Sequence, residues 1–236
     1  PKFCDHALQV REVVETLHSE SKPQIWAMKY DPTTDESRYK PQRELVANGL
    51  KQPCTVIEAP PGTGKTSALM SILKSVADET SCRCLVLAHS NQAVENSASA
   101  LMKNGNICSD RLLIILAQHR QSKVPEIPSI TLGPADQEKL KDNLFGNTVQ
   151  FFFMTVGLSC TTGEWYVNSS CFLRQAFDLV LLEEASGSLV SEILHLPVFL
   201  RDHGSIILAG DSRQLPAHAS TTARILTAID ACMRKN

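Results

Sequence analysis

The chain of 236 residues has little of several things. No apolar run approaches the roughly 18 residues that span a bilayer, so a membrane-spanning role is not expected. The first residues, Pro1 to His6, contain no apolar h-region, so no signal peptide is read there. Because the chain starts with Pro1 rather than Met, we expect it to be cut from something longer. The net charge is only −2, which excludes the broad basic face of a protein that coats DNA or RNA. Any nucleic-acid contact must therefore be local to a cleft. The eight cysteines form no framework, and Cys82 and Cys84 lie too close together for the usual zinc pair. Scattered thiols of this kind suit a reduced compartment, cytoplasmic or nuclear. No His-x-x-x-His pair occurs, and no metal site made of protein ligands alone is proposed. There is no internal repeat or low-complexity tract. The Asn-Lys-x-Asp that reads guanine in GTPases is also missing.

What remains is an alternation. Leu8 to Leu17 sets Val10, Val13, Val14 and Leu17 on one helical face, and the polar stretch Asp31 to Lys40 reads as a linker. From Pro41 onward, short apolar runs alternate with helical stretches. The runs are Thr55 to Ile57, Cys84 to Leu87, Leu112 to Leu116, Val149 to Met154, Leu179 to Leu182 and Ile206 to Leu208. Continuous apolar runs of this length predict strands covered on both faces, and their alternation with helices predicts a parallel α/β sheet. Ser122 to Pro134 holds three prolines and reads as an irregular excursion.

Ala59 to Thr66, Ala-Pro-Pro-Gly-Thr-Gly-Lys-Thr, follows one predicted strand and opens a predicted helix, Ser67 to Val76. That is the context a phosphate-binding P-loop needs. Gly62 and Gly64 let the backbone N–H groups curl toward phosphates, and the helix N-terminus adds partial positive charge. The candidate ATP-binding residues are Pro61, Gly62, Thr63, Gly64, Lys65, Thr66 and Ser67. Lys65 would reach the β- and γ-phosphates, and the Thr66 hydroxyl would bind Mg²⁺. The consensus begins with glycine where this chain has Ala59. A residue before proline is held at negative φ, which alanine adopts without strain, so Pro60 makes glycine unnecessary.

The strand Phe177 to Leu182 ends in Glu183-Glu184, two carboxylates at the edge where parallel sheets bind ligands. One would hold the metal, Glu183, and the other would orient or deprotonate the attacking water, Glu184. Ser205 to Asp211 reads as a further strand and turn, followed by Gln214, which is placed to sense a γ-phosphate. Arg213 reads as a local structural cation.

Taken in order, these segments resemble a superfamily 1 helicase of the nonsense-mediated-decay RNA helicase branch, over residues 40 to 236. Tyr39 to Gln42 resembles the Q motif, whose glutamine, here Gln42, reads adenine. Ala59 to Thr66 resembles motif I. Leu87 to Glu95 resembles motif Ia, and Thr155-Val156-Gly157 resembles motif Ic. Leu182 to Ser186 resembles motif II, normally Asp-Glu-Ala, and Gly210 to Pro216 resembles motif III. The resemblance implies a RecA-like P-loop NTPase lobe, a mainly parallel sheet flanked by helices, over residues 39–236, after an N-terminal helical segment and linker at 1–38. It implies ATP and Mg²⁺ as ligands. It also implies a groove for a single strand at Ser90, Asn91 and Thr155, RNA ahead of DNA. A second RecA-like lobe, absent from this chain, would supply the arginines that complete the ATP site. Leu226 to Met233 resembles the helix leading toward that lobe. The one departure in motif II, Glu183 for aspartate, keeps open a second reading: a catalytically weakened lobe that binds nucleotide or nucleic acid as a scaffold. The Ser90-Asn91 segment and Gln214 argue against an unrelated P-loop kinase.

Overall fold

The computed structural model describes residues 52–79, 81–117, 120–132, 148–165 and 173–211, with positions 139–140, 142, 143, 146 and 213. The expectations for residues 1–38, for Gln42, for Gln214 and for the helix Leu226 to Met233 lie outside them.

Among the described residues, seven strands form one sheet: β1 (Cys54–Glu58), β2 (Cys84–Ala88), β3 (Leu112–Ala117), β4 (Ser129–Leu132), β5 (Phe151–Thr155), β6 (Phe177–Leu182) and β7 (Leu200–Gly210). Their order is β1-β7-β6-β2-β5-β3-β4, and every pairing is parallel. Among the described helices are α1 (Lys65–Glu79), α2 (Asn91–Gly105), α3 (Val156–Trp165) and α4 (Val190–His195).

Period-two alternation explains why the strands are apolar throughout. Val86, Ile114, Phe151, Phe153, Leu179, Leu181 and Ile207 face one buried cluster with α1 and α2. Their neighbours Leu85, Leu87, Leu113, Ile115, Phe152, Val180, Leu182, Ile206 and Leu208 face another on the opposite side. Both faces of the central strands β2, β3, β5 and β6 are covered, so neither parity of position can be polar there, while edge strand β1 leaves Val56 and Glu58 exposed. Cys54, Cys82 and Cys84 are buried in these clusters. Burial pushes the Cys84 thiol well above its ordinary value.

One expectation needs correcting. The segment Ser122 to Pro134 is not wholly irregular, because Ser129–Leu132 pairs with β3 from Ile114 to Ala117. Its prolines hid this. Pro125 and Pro128 precede the strand, and a strand at the sheet edge needs ladder partners on one side only.

Parallel order puts every strand's C-terminus at one end of the sheet. The P-loop after β1, Ser90 after β2, Thr155 at the end of β5 and Glu183-Glu184 after β6 therefore share that end. Register keeps them level: Glu58 lies opposite Gly210, and Ala88 opposite Thr155.

Candidate nucleotide site and adjoining groove

In the loop between β1 and α1, Gly62 and Gly64 have φ of 77° and 81°, the left-handed region that favours glycine. Ala59 stays at negative φ, as its place before Pro60 requires. A Cβ built on Gly62 would meet nothing within 4 Å, so the loop holds an open cradle over its backbone. Thr63 Oγ1 donates to Pro60 O at 2.7 Å and fixes the turn. Ala68 N donates to Gly64 O at 2.9 Å, the first helical bond of α1. Thr66 and Ser67 lie exposed on the first turn of that helix.

The end of β7 ties this loop to the acidic strand. Ala59 N donates to Gly210 O at 3.0 Å, and Asp211 N donates to Ser186 Oγ at 3.2 Å. A Cβ on Gly210 would stand 2.7 Å from Ser186 N, so only glycine allows this approach. Glu184 turns the chain at φ 55°, ψ 38°, and its side chain reaches back to the P-loop. Lys65 Nζ and Glu184 Oε1 are 2.5 Å apart. His89, just after β2, supports the turn, its Nε2 lying 3.1 Å from both Glu184 O and Ser188 Oγ.

Glu183 is buried, 9 % exposed, behind this pair. Its N–H donates to Leu87 O at 2.8 Å, and its Oε2 lies 2.7 Å from Ser97 Oγ in α2. Burial, the largest cause, pushes its pKa up. Ser97 pulls it down, Glu184 raises it and Lys65 lowers it. Ser97 has one hydroxyl hydrogen and a second acceptor, Ala93 O, at 2.9 Å.

Glu183 Oε1 and Glu184 Oε2 are buried without a hydrogen-bond partner. Buried carboxylate oxygens are costly in that state. Hard anionic oxygens beside a phosphate loop and the Thr66 hydroxyl are the donor set that Mg²⁺ takes together with phosphates, so the residues present fit that ion.

Ser90, Asn91 and Thr155 line one groove with His89, Gln92, Glu95, Leu116, Arg120, Gln121 and Lys123. Two of the three also have local duties. Ser90 Oγ accepts from Ala93 N at 3.1 Å as the N-cap of α2, and Thr155 Oγ1 accepts from Leu158 N at 3.3 Å at the start of α3. Adjacent parallel strands thus aim two helix N-termini at one groove, with exposed Arg120 and Lys123 on its other wall. Buried Glu95 fixes that wall by accepting from Lys123 N at 2.8 Å.

Ser97, His89, Glu95, Arg120 and Lys123 were not singled out from sequence. Ser97 lies seven positions after Ser90, two helical turns along the same helix, and that periodicity was the only signal for it.

The P-loop cradle, the lysine–carboxylate pair and the parallel sheet define a RecA-like, ATP-binding lobe of the helicase type. Residues 39–151 match the family described as an AAA domain, AAA_11. The chain is similar to Regulator of nonsense transcripts 1 of Caenorhabditis elegans, at 30% identity over 106 residues, 42% of this chain and 10% of that protein. It is also similar to the Danio rerio protein named as helicase mov-10-B.1, at 25% identity over 180 residues, 72% of this chain and 17% of the relative. The fold resembles that of the Type ISP restriction-modification enzyme LlaGI, solved with a DNA substrate mimic. That likeness has a TM-score of 0.55 at 14% identity, over 78% of this chain and 19% of the other. Over these stretches the chain is similar to superfamily 1 helicases of the nonsense-mediated-decay type, in the region of a first RecA-like lobe. It spans only 10% and 17% of the lengths of those two curated relatives. Among the described residues no helix is long and apolar enough to cross a membrane.

Proposed function

We propose that this lobe binds ATP–Mg²⁺ and couples its hydrolysis to movement along, or remodelling of, a single nucleic-acid strand. The observation that carries this reading is the 2.5 Å pair of Lys65 and Glu184, which joins the P-loop to the acidic strand across the end of β7. Gly62, Thr63, Gly64 and Ser67 cradle the phosphates with backbone N–H groups, Pro61 shapes the loop without donating, and Lys65 leaves Glu184 to meet the β- and γ-oxygens. Glu184, so released, orients the attacking water and takes its proton. Mg²⁺, held by Thr66 and Glu183, would neutralise charge developing on the phosphate oxygens. Gln42 contacts adenine and Gln214 senses the γ-phosphate. Arginines of a second RecA-like lobe complete the site, and an arginine of that kind is worth about 10³ to 10⁵ in rate. A lobe such as 39–236, preceded by the segment 1–38, would turn over slowly without those arginines.

The strand lies over Ser90, Asn91 and Thr155, where small polar groups and helix N-termini hold phosphates without reading bases. A relative named for nonsense transcripts favours RNA over DNA and a cytoplasmic or nuclear setting. Lys65→Ala tests the nucleotide site: binding of a fluorescent ATP analogue should be lost in the folded variant, and unchanged affinity would refute the assignment. One observation supports the second reading, a scaffold that binds without efficient turnover: Glu183 stands in for aspartate, with one oxygen on Ser97. ATPase rates of the intact protein with and without single-stranded RNA separate the two, since a scaffold would show no stimulation.

A further inference from the structure

Helix α2 touches both halves of the site. Its first turn, at Ser90 and Asn91, forms the groove, and its Glu95 holds the groove's far wall through Lys123 N at 2.8 Å. Two turns on, about 10 Å along the axis, Ser97 Oγ meets Glu183 Oε2 at 2.7 Å. Glu95 and Ser97 are each 3 % exposed, so neither has room to change rotamer independently of its neighbours. Glu183 is anchored from below as well, by its N–H on Leu87 O, in the strand that leads to Ser90.

The extra methylene of Glu183 gains meaning here. Aspartate at this position would end about 1.5 Å short (one C–C bond), beyond hydrogen-bond reach of Ser97. Glutamate on its own would add a free torsion and blur its oxygens. A carboxylate with Oε2 tethered to Ser97 has one remaining oxygen, Oε1, in a fixed place, and that is the buried oxygen without a partner.

We propose that Ser97 is a positioning residue, which fixes the Glu183 carboxylate for the metal and makes α2 the link between groove and nucleotide site. The proposal rests on the nucleotide and groove reading above. A strand seated on the first turn of α2 moves or stiffens the same rigid rod that carries Ser97, so groove occupancy and metal-dependent nucleotide affinity change together. By reciprocity, nucleotide with metal changes strand affinity by the same factor.

Ser97→Ala is a mild change, because alanine suits a helix interior and only the hydroxyl is lost. In the intact protein, affinity for a fluorescent ATP analogue is titrated against Mg²⁺, with and without single-stranded RNA. Ser97→Ala should raise the Mg²⁺ needed for half-maximal affinity roughly tenfold, the loss expected for one hydrogen bond to a charged group. It should also shrink the RNA-induced gain in analogue affinity. Affinity measured without metal should stay the same, which a general loss of structure would not allow. In a Glu183→Asp background the Ser97→Ala effect should vanish, since aspartate does not reach the hydroxyl. An unchanged Mg²⁺ requirement in folded Ser97→Ala, or an equal effect in both backgrounds, overturns the role of Ser97 alone. Wild-type protein that binds the analogue equally with and without Mg²⁺ overturns the metal reading and this proposal together.

Discussion

The two ends of the parallel sheet treat their polar side chains in opposite ways. At the N-terminal end, Arg83, Arg111, Gln150 and Arg201 surround one polar pocket with Ser81, Thr148 and Val149. There the groups satisfy one another. Arg111 donates to Ala77 O at 2.8 Å and to the Gln150 side chain. Asp178 Oδ2 accepts from Arg83 N at 2.8 Å and from Arg201 at 3.5 Å. At the C-terminal end, two adjacent glutamates each keep a buried oxygen without a partner. Matched groups at one end hold the strands in place. Unmatched groups at the other end carry a folding cost, and a ligand would offset it. Both ends are charged and concave, so charge alone would not tell them apart; the state of the hydrogen bonds does.

The sharpest way to break this comparison is to neutralise one carboxylate at the unmatched end. Glu184→Gln should lower the ATP hydrolysis rate of the intact protein by about 10² to 10⁴, the usual worth of a general base. Analogue affinity should hold or rise, because Lys65 no longer shares its charge. A variant with full turnover would remove Glu184 from the chemistry. At the matched end the expected effect is on stability. Gln150→Ala should cost about 1 to 3 kcal/mol by chemical denaturation, because Arg111 is left short of a partner. Analogue affinity should not change, and a parallel loss of both would erase the distinction between the ends.

Smaller effects separate the two duties within the groove. Ser90→Ala should cost about 1 kcal/mol of stability as a lost cap. Asn91→Ala should leave stability alone while weakening single-stranded RNA binding, with the salt slope unchanged because asparagine carries no charge. Equal RNA affinity in Asn91→Ala protein would argue that the groove holds no strand there.

The smallest expected effect is pH-dependent. His195 packs edge-on against Phe199, its buried Nε2 lacks a partner, and burial lowers its pKa. In the unfolded chain it takes up a proton more readily. Stability should therefore be full above the ordinary value of 6.5 and fall as pH drops from there through the lowered folded value. His195→Phe should flatten that part of the melting-temperature profile. An unchanged slope would assign the dependence to another group.

The sequence was most legible where one local rule decides the outcome. The strand cores were visible as apolar runs because both faces of the sheet are buried, and the P-loop because its glycines, lysine and following helix are contiguous. The excursion hid β4, since a four-residue edge strand between prolines has neither length nor period. The second layer of the site was hidden for a different reason. Ser97 and Glu183 are 86 positions apart, and nothing about a serine inside a polar-looking helix marks the carboxylate that it will meet. Likewise Lys123 gains its place in the groove through Glu95, a buried carboxylate that the sequence showed only as the last residue of the motif Ia match.

The place of β7 in the sheet acts as a ruler. The P-loop strand β1 and the acidic strand β6 are not neighbours, because β7 stands between them. Backbone hydrogen bonding spaces neighbouring strands about 4.8 Å apart, so the two strand ends are held roughly 9.6 Å apart. That gap cannot narrow without breaking a ladder or widen without adding a strand. Any mouth built on these two ends has its aperture set by peptide geometry rather than by side chains. Lys65 and Glu184 are the long, adjustable arms that reach across it. Substitutions there would alter what is gripped, while the jaw's opening would stay the same.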